Sequence, residues 1–235
     1  MKFLLTNPTF TNTDEAVYRN LPAWNNSGLG DAFHILNGNP KPAEPKKAWN
    51  FGAAVHKLIL EPDFFVKTDW DLTKSEWKTL YSMADAVEKH AGLSQLIRGA
   101  KKELVCTRKD RTTRLNCKIK IDVLNSDYII DLKTTSAADR LEFLENCEKY
   151  EYHRQAAFYC DLSGRDRFLI IGIQKRKPFN IFYLDTDRTK KFFQTGQKRY
   201  KFLLEKVAER GWKTPAHMYT QARLFPIRQQ NPENA

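Results

Sequence analysis

The strongest constraint on this fold comes from two β-rich segments. These segments carry charges where a buried strand pair should have none. They run from Arg114 to Leu124 and from Tyr128 to Leu132, and Asn125-Ser126-Asp127 lies between them. Asparagine, serine and aspartate are typical turn residues, so the pattern predicts a β-hairpin. We expect the rest of the chain to be organised around this hairpin.

Three charged residues lie in the predicted hairpin. Asp122 is near the end of the first strand, and Asp131 and Lys133 flank Leu132 near the end of the second. Because side chains alternate along a strand, Asp131 and Lys133 share one face while Leu132 points into a core. Pairing of the two strands brings Asp122 close to Asp131. Burial of these charges is costly unless they pair with one another or bind a metal.

The cluster of charges has two interpretations. A structural ion pair, with Lys133 bridging both aspartates, would explain an isolated Asp-X-Lys. The second aspartate, the flanking β-segments and the basic charge of the chain favour a metal site instead. The 235 residues include 39 Lys and Arg against 28 Asp and Glu, a formal net charge of +11. A protein this basic usually binds a polyanion, and nucleic acid is the first candidate.

The order of helical and strand patterns predicts an α/β fold. Helices come first, followed by three strands, two helices, two strands and a long helix over Thr186–Arg210. This order predicts a three-layer α/β/α core with a central mixed β-sheet. Hydrophobic residues make up 41% of the chain and no linker is evident. We therefore expect one domain over residues 1–235, with a core at about 50–210 and an N-terminal helical elaboration.

Segments near the two ends are predicted to contain little regular structure. The N-terminal segment is expected to be irregular except for a helix at Asp14–Arg19 that Thr13 caps, and Asn26–Asp31 is expected to be a turn. A proline-rich loop is predicted at residues 37–47. The tail from Trp212 onward is predicted to be irregular.

The cysteines and the apolar segments exclude several classes of protein. The four cysteines follow no zinc or iron–sulfur spacing; they are Cys106, Cys117, Cys147 and Cys160. They are therefore expected to be reduced thiols of a cytosolic protein. No apolar segment is long enough for a membrane span, and the apolar run at the N-terminus is too short for a signal peptide. These observations predict a cytoplasmic protein.

Asp122 followed by Asp131-Leu132-Lys133 resembles the signature of the PD-(D/E)XK nuclease superfamily. Further motifs, in the same order along the chain, resemble the RecE (exodeoxyribonuclease VIII) family. They are Asn26-Ser27-Gly28-Leu29, the helix motif Gly52-Ala53-Ala54-Val55-His56-Lys57-Leu58-Ile59-Leu60-Glu61-Pro62, Glu103, Cys117-Lys118-Ile119-Lys120-Ile121-Asp122, and Tyr152-His153-Arg154-Gln155-Ala156-Ala157-Phe158-Tyr159. The family carries a proline or similar residue where this chain has Ile121. The chain is also short, so it resembles the nuclease domain alone.

The resemblance implies a role for each residue of the site. The implied metal ligands are His56, Asp122, Asp131 and the backbone carbonyl of Leu132. The implied catalytic residues are Glu103, Asp122, Asp131 and Lys133, with Lys133 acting on the attacking water. The implied substrate-binding residues are Ser27, Lys120, Arg154, Gln155 and Tyr159. Further candidates for contacts to the DNA backbone are Lys118 and Lys175-Arg176-Lys177.

The resemblance also implies a function. It implies a magnesium-dependent exonuclease, in which manganese can substitute, that degrades one strand of linear double-stranded DNA from its 5′ end. The resulting 3′ overhangs would serve recombination by strand annealing. It further implies a homo-oligomeric ring and a single-strand annealing partner of the RecT type. A phage or prophage origin is implied as well, with the protein in the cytoplasm of a bacterial or phage-infected cell.

Two other functions stay open. A DNA endonuclease of the same superfamily is one of them, although no separate recognition module is evident in the sequence. A non-catalytic DNA-binding module that retains the fold is the other. The intact set of Asp122, Asp131 and Lys133 argues against the latter.

Overall fold

The computed structural model describes residues 8–38 and 46–224. Along the chain, the elements within these residues are β1 (Thr9–Asn12), α1 (Glu15–Asn20), α2 (Asn26–Leu36), α3 (Lys46–Leu60), α4 (Lys74–Lys89), α5 (Ala91–Ile97), β2 (Lys101–Lys109), β3 (Asn116–Leu124), β4 (Ile129–Thr135), α6 (Arg140–Lys149), α7 (Tyr152–Ser163), β5 (Arg167–Gln174), β6 (Ile181–Asp187), α8 (Lys191–Glu209) and α9 (Pro215–Leu224). Two short 3₁₀ helices, Pro62–Phe64 and Lys67–Asp69, lie between α3 and α4.

The strands form one six-stranded sheet in the order β1-β2-β3-β4-β5-β6. Strands β4 and β5 pair in parallel, and the other neighbours pair antiparallel. Parallel neighbours need a long crossover connection, which α6 and α7 supply here. The predicted central mixed sheet is therefore confirmed.

Helices cover both faces of the sheet. On one face, Ile119 and Ile170 pack in a buried cluster with residues of α2, α6, α7, α8 and α9. On the other face, Val123 and Leu132 pack in a second buried cluster with residues of α3, α4 and α5. The predicted three-layer α/β/α architecture is confirmed, because each face of the sheet buries its apolar side chains under its own helices.

The prediction of an irregular N-terminal segment was wrong in three places. Residues 9–12 form β1, which pairs with β2, although their side chains are exposed and give no burial pattern. Asp14, and not Thr13, caps α1, since its carboxylate accepts the Ala16 N–H at 2.7 Å. Residues 26–31 belong to α2 and are not a turn. Gly28 is helical there, and a Cβ on it would lie 2.7 Å from the Pro215 side chain.

The C-terminal part also differs from the prediction. The long helix begins at Lys191 because Thr186 and Asp187 extend β6. A further helix, α9, lies in the tail that was predicted to be irregular, and it buries Met218 against α2 and its neighbours. The predicted proline-rich loop at 37–47 lies mostly outside the described residues. No helix among residues 8–38 and 46–224 is long and apolar enough to cross a membrane.

Candidate active site

The candidate site forms where the central strands stop pairing. The ladder between β3 and β4 contains Val123–Ile130 and Leu124–Ile129, and it ends just before Asp122 and Asp131. Beyond this point the Asp122 carboxylate accepts the N–H of Leu132 at 2.8 Å. The strands thus separate at the two aspartates, and a side chain takes the place of a backbone acceptor.

The neighbouring pair of strands is also interrupted at this level. The ladder between β2 and β3 pairs Lys102 with Val123 and Leu104 with Ile121, and it skips Glu103 and Asp122 between them. Glu103 has a φ of 53°, in the left-handed region that a glutamate rarely adopts. Such backbone strain is typical of functional sites, because the surrounding structure must hold it in place.

Asp131 and Lys133 share one face of β4, as predicted, and Leu132 is buried on the other. The Lys133 ammonium lies 2.7 Å from Asp131 Oδ2, and Gln155 Nε2 on α7 donates to Asp131 Oδ1 at 2.5 Å. Burial alone would lower the pKa of Lys133, but the carboxylates of Asp131 and Asp122 raise it above its ordinary value. Lys133 is therefore a fixed positive charge beside the two aspartates.

His56 approaches the site from α3, on the opposite face of the sheet. Its Nδ1 lies 3.4 Å from Asp122 Oδ2. Burial and the nearby charge of Lys133 lower the pKa of His56, which favours the neutral imidazole that can bind a metal. Burial and the charge of Asp131 raise the pKa of Asp122 from its ordinary value of 3.8 to about 7.

Glu103 takes part in a second chain of charges. Its carboxylate forms an ion pair with Lys120, and Lys120 also lies 2.7 Å from Glu15 of α1. Burial and the charge of Asp122 raise the pKa of Glu103. Lys120 was predicted to bind substrate, and the structure places it between two carboxylates at the wall of the cleft.

The donor set suits a hard divalent cation. Asp131 Oδ2 is buried and has no hydrogen bond, although the Lys133 ammonium lies nearby outside hydrogen-bonding geometry. This oxygen therefore has only the Lys133 ammonium at 2.7 Å as its partner, and carboxylate oxygens are the ligands that hard divalent ions prefer. Among the described residues, no group of three or more His, Cys, Asp or Glu side chains is arranged to hold a metal ion. The available donors are two carboxylates, an imidazole and the backbone of Leu132.

The site opens into a cleft of about 1990 Å³. Ser27, at the exposed start of α2, lines this cleft, as do Gln155 and Lys175. Arg154 lines it too, but its guanidinium is largely buried and donates to Asn26 at 2.9 Å and to Glu151 at 2.6 Å.

Tyr159 was also predicted to bind substrate, and it lies behind Gln155. Its ring packs edge-on against Phe168, with ring centroids 5.9 Å apart. Burial raises the pKa of Tyr159 well above its ordinary value. The tyrosine therefore stays neutral, and in this structure it supports the residues beneath the site.

The prediction that Lys118 contacts the DNA backbone was wrong. The residue is buried, and its ammonium donates to the carbonyl oxygens of Tyr18, Arg19 and Leu21 at 2.8, 3.1 and 2.9 Å. These carbonyls lie at the C-terminal end of α1, where a cation is favourable. Lys118 thus fixes α1 to the sheet.

Sequence reasoning missed the contact between Tyr152 and Lys133. The Lys133 ammonium lies 5.0 Å from the centroid of the Tyr152 ring, a cation–π distance. Tyr152 lies three residues before Gln155 on α7, so both side chains can reach β4 from one helix face. That spacing could have indicated the contact.

The comparisons with known proteins agree with this geometry. A family model described as "PDDEXK-like domain of unknown function (DUF3799)" matches residues 31–215. The chain is similar to the structure of a "Putative exonuclease" from Eubacterium rectale at 17% identity and a TM-score of 0.63, covering 94% of this chain and 96% of that one. No curated protein matches the sequence.

Two more distant likenesses carry no argument. A phage related exonuclease from Haemophilus somnus 129PT is 13% identical with a TM-score of 0.42, covering 77% of this chain and 92% of that one. An alkaline exonuclease from Laribacter hongkongensis is 14% identical with a TM-score of 0.42, covering 90% of this chain and 99% of that one.

The protein has a mixed sheet between two helical layers, and Asp122, Asp131 and Lys133 lie where two of its strands separate. This arrangement is that of a nuclease of the PD-(D/E)XK superfamily. Within this superfamily, the chain belongs to the PDDEXK-like family DUF3799, whose model matches most of its length. The resemblance to the RecE type in particular stays a prediction.

Proposed function

We propose that this protein is a magnesium-dependent exodeoxyribonuclease that degrades linear double-stranded DNA from its 5′ ends and leaves 3′ overhangs. The observation that supports this most is the meeting of Asp122, Asp131 and Lys133 beside a large open cleft. The basic charge of the chain agrees with a polyanionic substrate.

In this proposal, His56, Asp122, Asp131 and the Leu132 carbonyl would hold a magnesium ion, for which manganese could substitute. Such an ion would supply Lewis acidity and would lower the pKa of water at the site. Gln155 keeps the Asp131 carboxylate in place by donating to Oδ1, so Oδ2, which faces the Lys133 ammonium at 2.7 Å, would be the oxygen that binds the cation. Hydrogen bonds of this kind orient a ligand and tune its affinity for the metal.

Lys133 and Glu103 act on the reacting groups. The ammonium of Lys133 orients the attacking water and offsets the negative charge that develops on the phosphate. Glu103 would orient that water or serve as a ligand of a second ion. The pKa of Glu103 is raised by burial and by the charge of Asp122, so the carboxyl is able to take up a proton more readily than an exposed glutamate.

The cleft supplies the contacts to DNA. Ser27, Lys120, Arg154 and Lys175 line it, and we propose that they bind backbone phosphates, while Tyr159 supports Gln155 from behind. Contacts to phosphates do not read sequence. The affinity for DNA should therefore fall steeply with added salt.

The remaining parts of the proposal concern the biological setting. We propose that the chain acts as one domain with its core at about 50–210. It would assemble into a homo-oligomeric ring on DNA ends and pass its overhangs to a RecT-like annealing protein. This would take place in the cytoplasm of a bacterial or phage-infected cell.

Magnesium is expected to bind more tightly at pH 8 than at pH 6. The folded-state pKa of Asp122 is raised from 3.8 to about 7, so the metal-free protein favours the neutral carboxyl at low pH. The contribution of the protonated Asp122 carboxyl to the free energy of unfolding is fully present below about pH 4 and is lost as the pH rises through 7. Since the cation needs the carboxylate, calorimetry should show roughly tenfold tighter binding at pH 8. Equal affinities at the two pH values would contradict this account.

Linear duplex DNA is expected to be degraded in magnesium, and covalently closed circles of the same sequence are expected to persist. An exonuclease needs an end, and the circle has none. Gel analysis of both substrates in one reaction provides the test, with nicked circle as a control for breaks in the preparation. Rapid cutting of closed circles would favour the endonuclease, and binding without cutting would favour the non-catalytic module.

A further inference from the structure

Three exposed aromatic side chains line the cleft beside the candidate site. The exposed fractions of Trp49, Phe64 and Tyr150 are 54%, 70% and 57%. Single exposed aromatic residues are common on protein surfaces. Three of them on one cleft form a set, and apolar groups exposed together usually mark a binding site.

A basic side chain lies over each of these three rings. The Arg19 guanidinium is 4.9 Å from the centroid of Trp49. The ammonium groups of Lys57 and Lys149 are 5.6 Å and 5.7 Å from the ring centroids of Phe64 and Tyr150. All three cations line the same cleft as the rings. The cleft therefore carries three pairs, each made of a flat apolar ring and a basic side chain; Arg19 and Lys57 are also ion-paired with Glu15 and Glu61 at 2.8 Å.

The course of α3 places two of the pairs on either side of the candidate site. Trp49 lies seven residues before His56, which is two helical turns or about 10 Å along the same face. Gly52 and Ala53 lie between them and also line the cleft, as this spacing requires. Phe64 follows the C-terminal end of α3, in the first 3₁₀ helix. A DNA strand that crosses His56 along this helix therefore has an aromatic ring ahead of it and another behind it.

A nucleotide presents the complementary pair of groups. Its base has a flat π-face that stacks on an aromatic ring whatever the sequence, and its phosphate is attracted to a nearby cation. Inside a duplex both faces of a base are covered by neighbouring bases, so a base must leave the stack before it can lie on a protein ring. Stacking of this kind contributes on the order of 1–3 kcal/mol per base.

We propose that Arg19–Trp49, Lys57–Phe64 and Lys149–Tyr150 are three binding positions for unpaired nucleotides in the cleft, the first two on either side of the candidate site. The cleft thus takes a locally single-stranded segment, and part of its affinity comes from bases and not only from phosphates. This inference rests on the proposed function for the choice of DNA as ligand. It goes beyond that function because it assigns the bases a binding site of their own.

A matched pair outside the cleft provides a control. Phe202 on α8 is 47% exposed, and the Lys206 ammonium lies 5.7 Å from its ring centroid. This pair has the same chemistry as the three in the cleft, but it does not line the cleft. Loss of an exposed ring as such can therefore be separated from loss of a ring at the binding site.

The test measures binding of single-stranded oligomers by fluorescence anisotropy, with the full chain in EDTA so that no hydrolysis occurs. One probe is a short oligothymidylate, and the other is an abasic oligomer with the same number of phosphates. Trp49→Ala and Phe64→Ala are each expected to weaken oligothymidylate binding roughly tenfold, the equivalent of about one stacked base. Neither variant should change binding of the abasic oligomer, Trp49→Phe should restore most of the loss, and Phe202→Ala should change neither probe.

Two results would overturn the proposal. Equal loss on both probes, persisting in Trp49→Phe, would show that the rings support the structure or the charges and do not stack on bases. Equal binding of both probes by the unaltered protein would show that bases contribute nothing. Because binding is measured without cleavage, these results are distinct from a failure of the proposed nuclease activity.

Discussion

Replacement of Asp131 by asparagine is expected to slow DNA hydrolysis at least about a thousandfold and to leave the fold intact. The change removes one negative charge and the oxygen that we assign to the metal, which should raise the activation barrier by about 4 kcal/mol or more. Asparagine has the same size as aspartate, and its Oδ1 can still accept the hydrogen bond from Gln155 that the structure shows at 2.5 Å. Packing is therefore preserved while the chemistry is lost.

Asp127→Asn is the matched control for this variant. Asp127 lies in the exposed turn between β3 and β4, only a few residues from Asp131, and it does not line the cleft. Single-turnover release of nucleotides in magnesium measures the effect, and duplex binding in EDTA confirms that the fold persists. A rate for Asp131→Asn close to that of the control variant would remove Asp131 from the mechanism.

Gly196→Ala is expected to destabilise the protein by about 3 kcal/mol or more, or to prevent folding. A Cβ at this position would lie 1.8 Å from the His153 carbonyl oxygen and 2.8 Å from the Arg154 nitrogen. Both are backbone atoms of α7, so no side chain can rotate to make room. Helices α7 and α8 would have to separate, with loss of packing along their shared interface.

The same variant should also reduce activity. Helix α7 carries Gln155, which holds Asp131, and Tyr152, which lies over Lys133. Chemical denaturation measures the loss of stability, and Thr195→Ala is the control because Thr195 is the exposed neighbour on the same helix. An unchanged denaturation midpoint for Gly196→Ala would contradict the close approach of the two helices.

The sequence predicted the centre of the site because its determinants are local. Strand alternation placed Asp131 and Lys133 on one face, and the turn residues at 125–127 set the pairing that brings Asp122 to them. Each of these rules needs only a few consecutive residues. The same holds for Gln155, which lies on a helix whose pattern is evident in the sequence.

The errors arose where contacts join distant parts of the chain. Gly28 suggested a turn, but it is a helical residue that lets Pro215, far along the chain, approach closely. Lys118 was expected on the surface, and it is buried because α1 presents three carbonyl groups to it. Periodicity and turn propensity contain no information about such partners. These contacts appear only when the fold is known.

In the proposed function, Asp122, Asp131 and Lys133 form a metal-dependent site that degrades DNA from its ends. The decisive experiment is digestion of a linear duplex labelled at either the 5′ or the 3′ end, in magnesium and in EDTA. The proposal predicts early release of the 5′ label as short products in magnesium, with the 3′ label retained, and no release in EDTA. Equal release in EDTA, or no release of either label in magnesium, would contradict it.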